Sequence, residues 1–174
     1  MPIITHVPAT MQRFRSVLSQ HWFIQLSSWQ QELIESGIEL YEREERMLST
    51  FSDYSFILFP VSKAYEGFLK QYLFDLGFID ARTYADKRFR IGRALNPDVH
   101  PNRQDEYWLY DDVKRLCGVE IAKQMWRTWL ECRNQVFHYF PHNEKRLTLS
   151  EAASKISMVL GTIEQATHCQ LKNH

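Results

Sequence analysis

Hydrophobic positions recur at helical spacing along most of this chain. The clearest run covers residues 55–76, where Val61, Tyr65, Phe68, Leu69, Tyr72, Leu73 and Leu76 form one broad apolar arc at about 100° per residue. Gly77 follows and suits a helix end, because glycine accepts the left-handed backbone. Pro60 either opens the regular part or kinks it. Residues 119–139 predict the strongest helix, with Ala122, Met125, Trp126, Trp129, Val136 and Phe137 as its buried stripe. Pro141 ends it, since the residue before proline is pushed out of helical space. Residues 27–48 carry Trp29, Leu33, Ile34, Ile38, Leu40 and Tyr41 at near-helical spacing, and residues 42–46 read as a solvated, mixed-charge face. A last helix over residues 150–170 buries Ile156, Val159, Leu160 and Ile163, with Ser150 as its cap. Residues 9–21, opening near Pro8, make a weaker first helix.

The pattern breaks between residues 80 and 112. Gly92, Pro97 and Pro101 fall there among many charges, with short helices expected at 81–87 and 111–117. A connection of this length inside a compact domain is usually functional or mobile. It is also locally basic: Arg82, Lys87, Arg88, Arg90 and Arg93 stand against a single acid, Asp86. These five cations are candidate contacts to an RNA backbone, and Phe89 among them can stack on a base. The fold class that follows is all-α: an up-and-down bundle of four to five long helices in one domain, residues 1–174, with its core over about 27–172 and an irregular, locally basic insertion over about 78–116.

Composition narrows this picture. Apolar residues make up 44% of the 174, enough to build a core, and glycine and proline number six each, too few for a turn-rich sheet protein. The formal net charge is zero, so any basic surface has to be local. No apolar stretch is long enough to span a membrane, and residues 1–20 do not resemble a signal peptide, so a cytoplasmic location without membrane partners is expected. Three cysteines without a C-x-x-C pair favour reduced thiols over a disulfide framework. His100, His142, His168 and His174 lack metal-ligand spacing, and neither metal nor cofactor is expected.

The chemistry-bearing segment is Arg133-Asn134-Gln135-Val136-Phe137-His138, at the end of the strongest helix. On a straight helix Arg133 and His138 lie about 140° apart with Asn134 between them, too splayed to touch but able to line one cleft under a second surface. Cleavage of RNA by the ribose 2′-hydroxyl requires a proton acceptor, a proton donor and stabilisation of the phosphorane. Histidine as a residue type can take or give the proton. Arginine offers phosphate oxygens a permanently charged planar fork. By spacing alone the pair is unspecific: a helix-terminal histidine also suits the helix dipole, and an arginine among tryptophans can simply pack.

The R-N-x-x-x-H string resembles the R-x(4–6)-H signature of the HEPN superfamily, a group of helical proteins rich in ribonucleases. Tyr65-Glu66-Gly67-Phe68-Leu69-Lys70 is similar to a segment of the RnlA/LsoA-type RNase toxins, in which a glutamate on an earlier helix joins the arginine and histidine. The likeness spans roughly residues 55–76 and 119–170. It implies a HEPN-like bundle and a catalytic set of Glu66, Arg133 and His138, with Asn134 and Lys70 in support. On a helical wheel Glu66 falls at the rim of the apolar arc, where a carboxylate can face a cleft; its plainer role is an exposed i,i+4 partner of Lys70. The resemblance also implies a homodimer with a composite cleft, for which Trp126, Trp129, Phe137 and Tyr139 offer aromatic surface. The HEPN toxins paired with nucleotidyltransferase antitoxins carry R-x(4)-H-x-Y; here Phe140 takes the place of that tyrosine and Tyr139 precedes it, so control by nucleotidylation does not carry over. The expected function is a metal-independent endoribonuclease, the toxin of a toxin–antitoxin or phage-defence module with RNA as substrate and an antitoxin protein as possible partner. A non-catalytic HEPN-like module that binds RNA, nucleotide or a partner protein is the alternative, and a purely structural subunit a third.

Overall fold

A computed structural model describes residues 9–47, 50–139, 141 and 145–172. Pro8, Leu48, Phe140, His142 and His174, which enter the expectations above, lie outside them. Every regular element among the described residues is helical: α1 (Ala9–Val17), α2 (His21–Ile24), α3 (Ser28–Met47), α4 (Ser55–Asp75), α5 (Ala81–Ala85), α6 (Ile91–Ala94), α7 (Tyr110–Cys117), α8 (Val119–Trp129), α9 (Gln135–Phe137) and α10 (Leu149–Lys172). A short 3-10 turn, Pro101–Arg103, follows α6, and one π turn, Leu130–Asn134, joins α8 to α9 without a break. None of these helices is long and apolar enough to cross a membrane.

Helix α4 is the axis of the packing. It touches α3, α8, α10 and the insertion helices α5 and α6. Contact on several sides explains why its apolar positions spread so widely around it: Ile57, Leu58, Val61, Ala64, Tyr65, Leu69, Tyr72 and Leu73 are all nearly inaccessible. Pro60 lies inside the helix and buried. Gly77, at φ +71°, follows the helix end as its sequence position predicts.

Two helices begin with reciprocal caps. In α3 the Ser27 hydroxyl accepts from Gln30 N–H while the Gln30 side chain accepts from Ser27 N–H. In α10 the cap is Thr148, not Ser150: Thr148 Oγ1 accepts from Glu151 N–H at 3.2 Å, and Glu151 Oε2 accepts from Thr148 N–H at 2.8 Å. The Thr148–Glu151 spacing fits the S/T-x-x-E pattern, and the helix starts at Leu149, one residue before the expected 150. Just upstream, Asp53 clasps two helix starts, accepting from Ser55 N–H and Leu147 N–H. Burial alone would raise the Asp53 carboxyl; these donors outweigh it and hold it below the usual range.

Two further expectations are corrected. Residues 42–46 are not a uniformly solvated face, since Glu42 and Glu44 are only 2% and 1% exposed. Helix α1 lies across this part of α3: Phe14 meets Tyr41 edge-on at 5.4 Å, and Arg15 grips the Glu42 carboxylate with both Nε and Nη2. Charge composition cannot reveal a covering helix. Cys117 and Cys169 are disulfide-bonded, with their Cα atoms 5.7 Å apart, rather than free thiols. Their separation of 52 residues carries no information on the tertiary contact that joins the end of α7 to α10.

Candidate active site

The site is built where α4 meets the π turn. Gln135 N–H donates five residues back to Leu130 O. In a regular α-helix that donor would serve Glu131 O. Lys155 of α10 replaces it, donating from Nζ to Glu131 O at 3.1 Å. The neighbouring Cys132 O accepts from the buried Ser62 hydroxyl of α4 at 2.6 Å. One helical turn further along α4, the Tyr65 phenol donates to Met125 O at 2.9 Å. Burial pushes that phenol well above its ordinary range, so it keeps the proton it donates. Side chains from two flanking helices thus satisfy backbone that the π turn disturbs, and such turns recur at functional sites.

The same face of α4 carries Glu66, one residue beyond Tyr65. Its Oε2 accepts from Arg133 Nε at 3.0 Å, with side chains 45% and 32% exposed. The two groups singled out by sequence, 67 residues apart, therefore form an ion pair at the edge of the core. A pair this exposed contributes little stability. Its structural effect is orientation: Nε is engaged, and both Nη groups are left without a hydrogen bond among the described residues.

His138 does not continue the helix. Helix α9 ends at Phe137, and His138 is extended at φ −101°, ψ 135°. The straight-helix estimate of about 140° between Arg133 and His138 fails for two reasons: the π turn changes the angular step, and His138 has left the helix. The helix also stops short of residue 139, before Pro141 can act. Both side chains nevertheless line one open cleft of about 630 Å³, together with Glu66 and Asn134.

Its opposite wall is the basic insertion. Lys87, Arg88, Arg90 and Arg93 line the cleft, as does Phe89, whereas Arg82 is exposed away from it and Lys70 reaches elsewhere. Lys70 donates to Asp86 O at 3.0 Å and lies over the Tyr84 ring, so it supports the insertion from behind rather than pairing with Glu66. Two of the arginines already have carboxylate partners: Arg88 meets Asp86 at 3.4 Å, and Arg93 holds Asp105 at 2.7 and 3.1 Å while also donating to Arg103 O. Lys87 and Arg90 form no ion pair among the described residues. They are the cations with charge to spare for a ligand.

Gly92 fastens this wall to the motif helix. A Cβ on it would come within 2.1 Å of the Trp129 indole, so only glycine lets α6 approach so closely. Trp129 stacks on Trp126 at 5.6 Å, and its Nε1–H is buried without a partner among the described residues. Residue spacing gave no sign of Ser62, Gly92 or Lys155; each acts through backbone or ring contacts that only assembly creates. Cys132, beside Arg133, is no candidate nucleophile: burial pushes its thiol up to about 12.

Among the expected aromatic surface, Tyr139 is 88% exposed, whereas Trp126, Trp129 and Phe137 are partly buried against the core. No family model, curated protein or solved structure was found to match this chain.

Proposed function

We propose that this chain is an endoribonuclease that cleaves RNA by internal transesterification without requiring a metal ion, and that it acts as the toxin of a toxin–antitoxin or phage-defence module. The supporting observation is the Glu66–Arg133 pair, with His138 on the wall of the same cleft and Lys87 and Arg90 facing them.

The 2′-hydroxyl gives up its proton and its oxygen attacks the adjacent phosphorus. The bond from phosphorus to the 5′-oxygen breaks, and that oxygen takes up a proton. The products are a 2′,3′-cyclic phosphate and a 5′-hydroxyl. His138 transfers a proton at this centre. The Arg133 Nη groups, aimed by Glu66, stabilise charge developing on the phosphorane oxygens. Lys87 and Arg90 hold flanking phosphates without reading sequence. A HEPN-like homodimer, as the resemblance implies, brings a second His138 over the open cleft and completes an acid–base pair.

The test is incubation of purified protein with RNA in EDTA, with product ends mapped. Wild type is expected to give fragments with 5′-hydroxyl ends, and His138→Ala to lose about 10²–10⁴-fold in rate with an unchanged circular dichroism spectrum. RNA left intact by wild type, but still bound, would make the chain a binding module. Growth arrest on expression of wild type and not of His138→Ala tests the toxin setting.

A further inference from the structure

A second cavity, of about 350 Å³, opens along the basic insertion. That volume falls within the range of roughly 300–1,000 Å³ of small-molecule sites. It shares Arg88, Phe89, Arg90 and Arg93 with the cleft described above, so the segment 88–93 is a ridge between the two. Tyr107 lines this cavity and not the cleft, as do Thr83, Asp86 and Ala94.

Phe89 and Tyr107 meet at 6.3 Å between ring centroids and 68° between planes. Rings set edge to face leave most of their faces uncovered, so a third flat ring can stack on one and turn its own edge toward the other. The two are held differently. Phe89 packs against the core, whereas Tyr107 is 41% exposed on the loop after the 3-10 turn. That loop is tied to the ridge by Arg93, whose guanidinium clamps Asp105; Asp105 Oδ1 in turn accepts from Tyr107 N–H at 3.1 Å. Arg93 is thus a positioning residue for Tyr107, and the cation left over on the ridge is Arg90.

We propose that the Phe89–Tyr107 cavity is a base-stacking subsite, which takes an unpaired nucleobase of the same RNA whose phosphate lies in the Glu66–Arg133–His138 cleft. This rests on the nuclease reading for the identity of the strand, but not for its binding. The strand crosses the ridge with a phosphate against Arg90, and the flanking base turns into the aromatic cavity. A base held in a duplex cannot enter without breaking its pair, so the subsite selects unpaired RNA at that position.

The experiment uses a labelled 2′-fluoro RNA oligonucleotide, which lacks the attacking hydroxyl, and measures its affinity by fluorescence anisotropy. Tyr107→Ala is expected to weaken binding roughly tenfold, and Tyr107→Phe, which keeps the ring, less than twofold. The oligonucleotide annealed to its complement should bind more weakly and be indifferent to Tyr107→Ala. Equal affinity of wild type and Tyr107→Ala for the single strand overturns the subsite, as does a mononucleotide that binds as tightly as the oligonucleotide. Tyr107-dependent binding together with intact natural RNA keeps the subsite and sinks the nuclease; unchanged cleavage and binding by Tyr107→Ala does the reverse.

Discussion

Helix α10 and the helix running from α8 through the π turn into α9 are neighbours of similar length, and they differ in regularity. α10 runs unbroken from Leu149 to Lys172 behind a reciprocal Thr148–Glu151 cap. The other loses its α-helical register at Leu130–Asn134 and ends at Phe137, with its disturbed backbone held by Ser62 and Lys155. The first helix keeps regular geometry throughout, and its Lys155 and Cys169 reach out to neighbouring segments. The second departs from regular geometry in the one stretch that delivers Arg133 to Glu66 and His138 to the cleft. Irregularity supported from outside is what a site demands, because the angular step of an α-helix alone leaves the two groups splayed.

This contrast can be broken by substitution. After the loss expected for His138→Ala, the largest effect is that of Arg133→Gln, which should cut RNA cleavage by roughly 10²–10³-fold, the usual loss for one stabilising donor, with a melting temperature close to wild type. An equal loss of melting temperature would make Arg133 a packing residue. On the other helix, Cys169→Ser releases the disulfide to Cys117 and should cost about 2–4 kcal/mol in denaturant unfolding while cleavage at low temperature persists. Gly92→Ala drives a methyl group into the Trp129 indole and should cost about 1–3 kcal/mol, with cleavage falling because the basic wall shifts.

Ser62→Ala sharpens the comparison most directly. It removes the donor to Cys132 O and should cost about 1–2 kcal/mol, but also lower the cleavage rate, since the π turn that aims Arg133 is loosened. Thr148→Ala is the matching control: about 1 kcal/mol from the lost cap, seen as a lower unfolding midpoint, with no change in cleavage rate. If the two variants alter rate alike, the distinction between a packing helix and a site-bearing helix is lost.

The long helices were legible because burial imposes a periodicity that residue type records directly: α3 and α4 fall within a residue of the spans predicted at 27–48 and 55–76. Ends were less legible. Thr148 caps α10 in place of Ser150, and Phe137 is the terminus in place of residue 139, because ends depend on individual hydrogen bonds rather than on a repeated signal. The insertion announced its charge but not its order. Which cations remain unpartnered was decided by Asp86 and Asp105, and the latter is twelve residues from Arg93.

By itself the sequence determined the all-helical class of the described residues, the helix that carries Arg133, and a basic stretch lacking regular periodicity. Those follow from spacing and composition, which are properties of the chain alone. Tertiary structure decided the rest: that Glu66 meets Arg133, that Lys70 turns to Asp86 O, that Cys117 bonds to Cys169, and that Gly92 seats on Trp129. Each of these is a contact between segments remote in sequence or a deviation from ideal geometry. Helical periodicity encodes which face is buried, but not which side chain of another helix will stand opposite it.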